Sequence, residues 1–175
     1  MELLKKLILD LKQQSPELCY FFAISLGLLL QKIINEYQLK ALYLSYVPLS
    51  QEKFKQRGFN QSKLIAKTLY QLRSHYGLES KLYFLDDLFV RIKDTKPLAK
   101  LSLDERNLEL DGAFSINSKF EKFIERFAYE SESRVLIIDD ITTTGLSFIK
   151  LTDELNQRGL PTQKIIALAC TGRNF

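Results

Sequence analysis

Two adjacent acids, Asp139 and Asp140, stand between a run of aliphatic residues and a turn rich in hydroxyl groups. Ionised carboxylates only accept hydrogen bonds and therefore suit the hydroxyls of a sugar, whereas hydroxyl side chains also donate and suit the oxygens of a phosphate. A glycine in the turn lets the backbone approach such an anion closely. Together these residues predict a sugar phosphate site in which the acids hold the sugar. The predicted phosphate contacts are Thr142, Thr143, Thr144, Gly145 and Ser147.

The elements around this turn are expected to direct it at a ligand. Residues 135–138 are typical of a strand buried on both faces of a parallel sheet, and residues 148–155 have helical spacing. The amino end of a helix offers unpaired N–H groups and the positive end of its dipole to an anion. The alternative is an ordinary strand end followed by a threonine helix cap. The coincidence of strand, paired acids, hydroxyls and glycine favours the ligand site.

Strands and helices are expected to alternate along the chain, which indicates an α/β fold with a mainly parallel sheet flanked by helices. The 175 residues suit one domain, 1–175, with a helical amino-terminal part at 1–38. Strands are expected at 41–47, 82–90, 135–138 and 164–169. Helices are expected near the amino terminus as far as residue 37, broken at Pro16, and at 61–76 and 145–158.

A polar and basic stretch, 48–60, follows the first expected strand and contains Lys53, Lys55, Arg57 and Gly58. The carboxyl ends of parallel strands lie on one edge of a sheet, so this stretch and the acidic turn are expected to meet there. Its positively charged side chains could then bind an anionic ligand. The alternative is a basic loop that is only solvated.

The long connection 91–111 is expected to be a mobile loop, because a connection of this length in a compact domain is often a lid. A lid excludes water from a reactive intermediate. Within the loop, Arg106 is the residue expected to bring positive charge to a leaving group. A charged surface hairpin without a ligand is the alternative.

Three stretches resemble a known family. Residues 137–147 are similar to the phosphoribosyl pyrophosphate signature of type I phosphoribosyltransferases. Residues 47–66 and 91–114 are similar to segments of the ComF family, a competence and GntX-like group of such proteins. The chain departs from the family at Leu98, usually a glutamine, and at Glu109, usually an asparagine. With two cysteines, it is expected to be a short form without the amino-terminal zinc-binding module of longer members.

The resemblance implies a type I phosphoribosyltransferase-like fold with a flexible loop, and phosphoribosyl pyrophosphate as ligand. The catalytic residues would be Asp139, Asp140 and Arg106, with the two aspartates also binding the ribose. Pyrophosphate would be bound by Lys53, Lys55, Arg57 and Gly58. Mg²⁺ is expected as cofactor, bound through the substrate and not by protein ligands, and no zinc is expected.

The resemblance also implies a part in DNA uptake and natural transformation, with uptake proteins as partners. Single-stranded DNA is a further expected partner, because basic and aromatic side chains alternate in this stretch. The candidate residues are Lys53, Lys55, Arg57 and Phe59. A non-catalytic DNA-binding or scaffold module and a nucleobase salvage phosphoribosyltransferase are the alternatives.

Composition adds weaker indications. A net charge of +4 and a pI near 9.0 permit contact with a phosphate backbone but do not indicate a nucleic-acid tail. Cys19 and Cys170 are expected to be buried hydrophobes in a reducing cytosol, and His75 to lie at the surface. The apolar run 18–30 is too short for a membrane span and is expected to be a buried helix. No integral membrane segment is therefore expected, and the cytoplasm is the expected location, with the inner face of the membrane as the alternative.

Overall fold

A computed structural model describes residues 16–95, 101–142 and 144–172 of the protein. The helix expected before Pro16 lies outside these residues. Within them, helices and strands alternate, and short 3-10 turns lie at Arg73–Tyr76, Ser118–Phe120 and Thr162–Lys164. The helices are α1 Pro16–Glu36, α2 Gln51–Arg57, α3 Gln61–Gln71, α4 Leu103–Leu110, α5 Glu121–Phe127 and α6 Leu146–Asn156. The strands are β1 Ala41–Tyr46, β2 Leu82–Phe84, β3 Phe89–Arg91, β4 Phe114–Ile116, β5 Ser133–Thr142 and β6 Ile165–Gly172.

Four strands form the central sheet in the order β2-β1-β5-β6, and every neighbouring pair is parallel. Leu44 in β1 lies opposite Phe84 of β2 and Leu136 of β5. An inner parallel strand is buried on both faces, which accounts for its continuous apolar sequence. The expected α/β architecture with a parallel sheet is confirmed.

Each face of the sheet has its own hydrophobic core, because successive side chains of a strand point to opposite faces. Leu136 and Ile138 of β5 pack in one core with α1 and α3. Val135 and Ile137 pack in the other core with α5 and α6. Helices α3 and α6 therefore lie on opposite faces of the sheet.

The expectation of a single strand at 82–90 is wrong. The structure divides this run into β2, in the central sheet, and β3, which pairs antiparallel with β4 in a separate two-stranded sheet. Two acids interrupt the run, and the second, Asp87, has a φ of 59°, which strands do not adopt. The strand expected at 135–138 is present but longer, since β5 continues through the acids to Thr142.

The basic stretch 48–60 is a helix for most of its length and not the loop that its composition predicts. Ser50 caps α2 by accepting a hydrogen bond from the Lys53 N–H at 3.3 Å, and Gly58 ends the helix with a φ of 77°. The neighbouring helix, expected to reach residue 76, ends at Gln71 and is followed by a 3-10 turn.

The connection 91–111 contains the helix α4. Its amino end is a capping box: Ser102 accepts from the Glu105 N–H at 3.3 Å, and the Glu105 carboxylate accepts from the Ser102 N–H at 2.7 Å. Residues 96–100, including Leu98, lie outside the described part of the chain. The mobility of the connection stays a prediction.

Helix α1 is long and apolar enough to cross a membrane by length and composition alone. One side of it is nevertheless part of a core: Cys19, Ala23 and Leu30 are fully buried against the sheet and α3. The expected buried helix is therefore confirmed for this side. The other side exposes large apolar side chains at Tyr20, Phe21, Ile24, Leu28 and Leu29.

Candidate functional site

The sheet has a topological switch point between β1 and β5. From β1 the chain passes through α3 to β2, on one side of the pair, and from β5 it passes through α6 to β6, on the other side. Because α3 and α6 cover opposite faces, the two connections leave a crevice outside the carboxyl ends of β1 and β5. Open α/β sheets bind their ligands in such a crevice. The acids predicted from sequence lie at this point.

The first turn of α3 opens the crevice by separating the two strand ends. The last bond of the β1–β5 ladder runs from the Val47 N–H to the Ile138 carbonyl at 2.9 Å. In a regular parallel ladder the next bond would join the Asp140 N–H to the Val47 carbonyl. Instead, the Asn60 side-chain amide donates to the Val47 carbonyl at 3.1 Å, and the Asp140 N–H donates to Ser62 Oγ at 3.1 Å.

Asp139 is held in the crevice by protein donors. Its Oδ1 accepts from the Ser62 hydroxyl and from the Asp140 N–H, both at 2.9 Å. Burial, reinforced by the negative charge of Asp140, raises the pKa of Asp139 well above its ordinary value. Burial also raises the pKa of the Cys19 thiol to about 12, and Asp140 adds to this shift. Asp139 therefore tends to retain a proton.

The turn after β5 has the geometry of an anion site. Gly145 begins α6 with a φ of 70°, and the position where a Cβ would stand is open space. The Thr142 hydroxyl accepts from the Gly145 N–H at 3.1 Å, so this hydroxyl shapes the turn while its own proton remains able to donate. Thr144 and Ser147 are half-buried in the same turn, and Thr143 lies outside the described residues.

The predicted cations lie on or beside α2. Lys53 is half-buried and Lys55 is exposed. Arg57 Nη1 donates to Gln61 Oε1 at 3.2 Å, which brings the guanidinium beside the first turn of α3. Phe59 packs partly against the core of α1 and α3.

Arg106 belongs to the insertion between β3 and β4. It is half-buried in α4, and its Nε donates to the Leu101 carbonyl at 2.9 Å. Helix α4 in turn contacts α6. The guanidinium therefore anchors the start of its own helix.

A second cluster of charges lies at the end of β2, and sequence reasoning missed it. The Tyr46 hydroxyl donates to Asp86 at 2.8 Å and to Asp87, while Lys63 forms ion pairs with Asp86 at 2.8 Å and Asp87 at 3.2 Å. Burial acts to raise the pKa of Asp86, but the hydrogen bonds from Lys63 and Tyr46 outweigh it and lower that pKa. The only signal in the sequence is the pair of acids after an apolar run.

The sequence also carried no signal for Ser62. Asn60 was recognisable as a polar residue before a helix, and it does cap α3 by accepting from the Lys63 N–H at 3.2 Å. Its bond to Val47, and both bonds of Ser62, depend on contacts between elements. The first turn of α3 thus ties three strand ends together: β1 through Asn60, β5 through Ser62 and β2 through Lys63.

Within the ranges that the structure describes, no three or more His, Cys, Asp or Glu side chains are grouped to hold a metal ion. His75 is exposed, as expected. No family model and no curated protein matches the chain.

Proposed function

We propose that the protein binds phosphoribosyl pyrophosphate, together with Mg²⁺, in the crevice between β1 and β5. It would act as a phosphoribosyltransferase-like protein of the ComF type with a part in DNA uptake. The observation that carries the proposal is that β5, which ends in the acidic pair and the glycine turn, lies at the switch point of the sheet.

The glycine turn suits the 5′-phosphate. Helix α6 begins there, so its first N–H groups and the positive end of its dipole face the turn. The open space above Gly145 leaves room for an anion against the backbone. The hydroxyls of Thr142, Thr144 and Ser147 supply further donors, and Thr143 completes the set expected from the sequence.

The acids suit the ribose. A charged Asp140 accepts hydrogen bonds from sugar hydroxyls, and Asp139 beside it either accepts or donates according to its protonation. Their proximity to the phosphate turn matches the length of a ribose 5-phosphate, because only Ile141 and Thr142 separate the acids from that turn.

Pyrophosphate would be bound from the α2 side of the crevice. Arg57 lies beside the first turn of α3, and Lys53 and Lys55 lie on α2 itself. Gly58 allows the chain to turn back from α2 towards Asn60. Mg²⁺ would be held by the pyrophosphate and the ribose hydroxyls, and would neutralise the charge of the leaving group.

The reaction would be displacement at the anomeric carbon. A nucleophile on an acceptor forms a bond to that carbon while the bond to pyrophosphate breaks, and the electron pair leaves with the pyrophosphate. Catalysis then depends on positioning and on cations around the leaving group. Arg106 would join those cations after a movement of the 91–111 connection.

Calorimetric titration with phosphoribosyl pyrophosphate and Mg²⁺ tests the proposal. We expect the wild type to bind and Asp139→Asn with Asp140→Asn to lose at least tenfold in affinity. The acid pair at the end of β2 provides a control: Asp86→Asn with Asp87→Asn makes the same two substitutions at the neighbouring strand end and should retain binding. Equal affinity in the wild type and the Asp139/Asp140 variant would contradict the proposal.

Single-stranded DNA binding is a second candidate function. Helix α2 exposes Phe54, which is 51% accessible, and Lys55, so it offers both a ring for stacking and a positive charge. Phe59 and Tyr46 are less suited, since both pack in the core. We place the protein in the cytoplasm, where the DNA strand and the uptake proteins would meet it.

The two functions are separable by experiment. DNA binding through α2 should weaken with salt and be lost in Phe54→Ala with Lys55→Ala, a variant that leaves the acids intact. Pyrophosphate release that requires Asp139 and Asp140 would indicate the enzyme.

A further inference from the structure

Ser62 makes two hydrogen bonds that no other side chain of α3 makes among the described residues. Its hydroxyl donates to Asp139 Oδ1 at 2.9 Å and accepts from the Asp140 N–H at 3.1 Å. The residue is 3% exposed, so water does not readily replace either bond. Seventy-seven positions separate Ser62 from Asp139 along the chain.

We propose that Ser62 is a positioning residue of the sugar phosphate site, which holds Asp139 Oδ1 against α3 and so presents Asp139 Oδ2 to the crevice. This inference rests on the proposed function for its ligand. Ser62 touches neither the sugar nor the phosphate in this arrangement and acts through Asp139.

The geometry makes the orientation specific. Asp139 Oδ1 already accepts two hydrogen bonds, from the Ser62 hydroxyl and the Asp140 N–H. A proton retained by this carboxyl therefore belongs on Oδ2, the oxygen that neither of these two donors occupies, and the side chain of Asp140 is a further hydrogen-bond partner of the carboxyl. Oδ2 is then the atom able to donate to a ribose oxygen or, after ionisation, to accept from a ribose hydroxyl.

The same bonds maintain the crevice itself. In a regular ladder the Asp140 N–H would donate to the Val47 carbonyl. In this structure the Ser62 hydroxyl replaces that carbonyl as the acceptor. Without the hydroxyl, the Asp140 N–H would keep its bond to Asp139 Oδ1 but lose its link to α3, so α3 would hold the end of β5 less firmly.

Ser62 also affects the acidity of Asp139. A hydroxyl that donates to a carboxylate favours its charged form, so the bond opposes the effect of burial on the pKa. The groups that face Asp139 are Asp140 on its own strand and Ser62 on α3, while α1 presents the Cys19 thiol to the neighbouring Asp140. Loss of the hydroxyl should therefore raise the pKa of Asp139 further.

A double-mutant cycle tests the proposal with ribose 5-phosphate as the titrant. We expect Ser62→Ala and Asp139→Ala each to weaken binding about tenfold, as for loss of one hydrogen bond to the sugar. The double variant should also bind about tenfold more weakly, and not a hundredfold, because Ser62 acts through Asp139. Thr68→Val is the matched control, since it removes a buried hydroxyl from the same helix that has no hydrogen-bond partner within the described residues. It should bind like the wild type.

A carboxyl NMR titration gives a readout that requires no ligand. The Asp139 pKa should be higher in Ser62→Ala than in the wild type and unchanged in Thr68→Val. Additive losses of affinity, or an unchanged Asp139 titration in a folded Ser62→Ala protein, would overturn the proposal. A wild type that does not bind ribose 5-phosphate would remove the proposed function and the ligand role of Ser62 with it. The titration would then still decide whether Ser62 governs the carboxyl.

Discussion

At the scale of single residues, the site depends on a carboxyl, Asp139, whose pKa is raised, and on the second acid beside it. Burial and the charge of Asp140 raise the pKa of Asp139, while the Ser62 hydroxyl and a backbone N–H lower it in part. Two carboxyls close together rarely ionise with equal ease, since the first charge opposes the second. Asp139 therefore tends to retain a proton that it can donate to a ligand.

Substitution of Asp139 by asparagine should make the unliganded protein more stable at neutral pH. The unfolded chain ionises this group near 3.8, so between that pH and the raised folded value the native state binds more protons and loses stability as pH rises. The substituted amide has no charge to bury and keeps an oxygen that accepts from Ser62. Its advantage should vanish near pH 3.5 and grow by about 1.4 kcal/mol for each unit of pKa shift, measured by thermal unfolding across pH.

Asp153→Asn, at an exposed position of α6, controls for the loss of one negative charge. A gain in stability for Asp139→Asn that is the same at every pH would show that burial does not shift the acid.

Gly145→Ala should lower both stability and affinity for ribose 5-phosphate. A φ of 70° costs a residue with a Cβ roughly 1–2 kcal/mol, and the new methyl group occupies the space proposed for the phosphate. Gly159, with a φ of 83° and equally open surroundings, follows the far end of α6. Gly159→Ala should therefore lose similar stability and no affinity. Equal affinities of the two variants in calorimetry would exclude the phosphate from the Gly145 turn.

At the scale of elements, α3 does more than cover the sheet. Its first turn is hydrogen-bonded to the ends of β1 and β5 and ion-paired with the end of β2. Its later turns pack Ile65, Ala66 and Leu69 into the core. Because one rigid helix performs both tasks, packing of the core determines where the strand ends are held apart.

Asn60 variants should distinguish two contributions to stability: the cap that Asn60 provides for α3, and the hydrogen bond from Asn60 to Val47 at the end of β1. Asn60→Ala loses both the acceptor for the Lys63 N–H and the donor to Val47, and should cost about 2 kcal/mol of unfolding free energy. Asn60→Ser keeps a good cap but does not reach Val47, so it should cost about half as much. Both should weaken ligand binding. Urea unfolding measures the first effect and calorimetry the second.

The cap of a remote helix supplies the control. Ser102→Ala removes the cap of α4 and should cost about 1 kcal/mol without changing affinity. If Asn60→Ser were as stable as the wild type, the bond to Val47 would contribute nothing to the strand end.

At the scale of the whole molecule, two cores hold the parallel sheet, and α1 belongs to one of them. Its sequence is apolar almost all round, yet only one side is buried. The exposed side carries five large apolar residues within three turns. Composition alone therefore does not separate a core helix from a membrane helix here, whereas the contacts of Cys19, Ala23 and Leu30 with the sheet do.

Two leucines of α1 test this arrangement. Leu30 is fully buried, so Leu30→Ala should cost about 3 kcal/mol through lost contacts and the cavity left behind. Leu28 is 65% exposed, and Leu28→Ala should change the unfolding free energy by no more than about 0.5 kcal/mol. Denaturant unfolding of both variants measures the difference. Equal costs would mean that α1 does not pack on the sheet as described.

The sequence by itself determined the class of fold and which residue types stand in the turn after β5. The aliphatic run before Asp139, the alternation of helical and strand patterns, and the glycine after the threonines are local features, and local backbone preferences and burial patterns decide them. The helix at 51–57 was missed because a polar stretch can form either a loop or a surface helix. The break at Asp87 was missed because an apolar run can form either one strand or two.

Only the tertiary structure decided how the site is assembled. Ser62 and Asp139 are 77 residues apart, and the switch point exists because α3 and α6 pack on opposite faces. The raised pKa of Asp139 likewise requires burial and a neighbouring charge at a fixed distance. Contacts between distant segments are not encoded in any local pattern, since they form only when hydrophobic burial brings whole elements together.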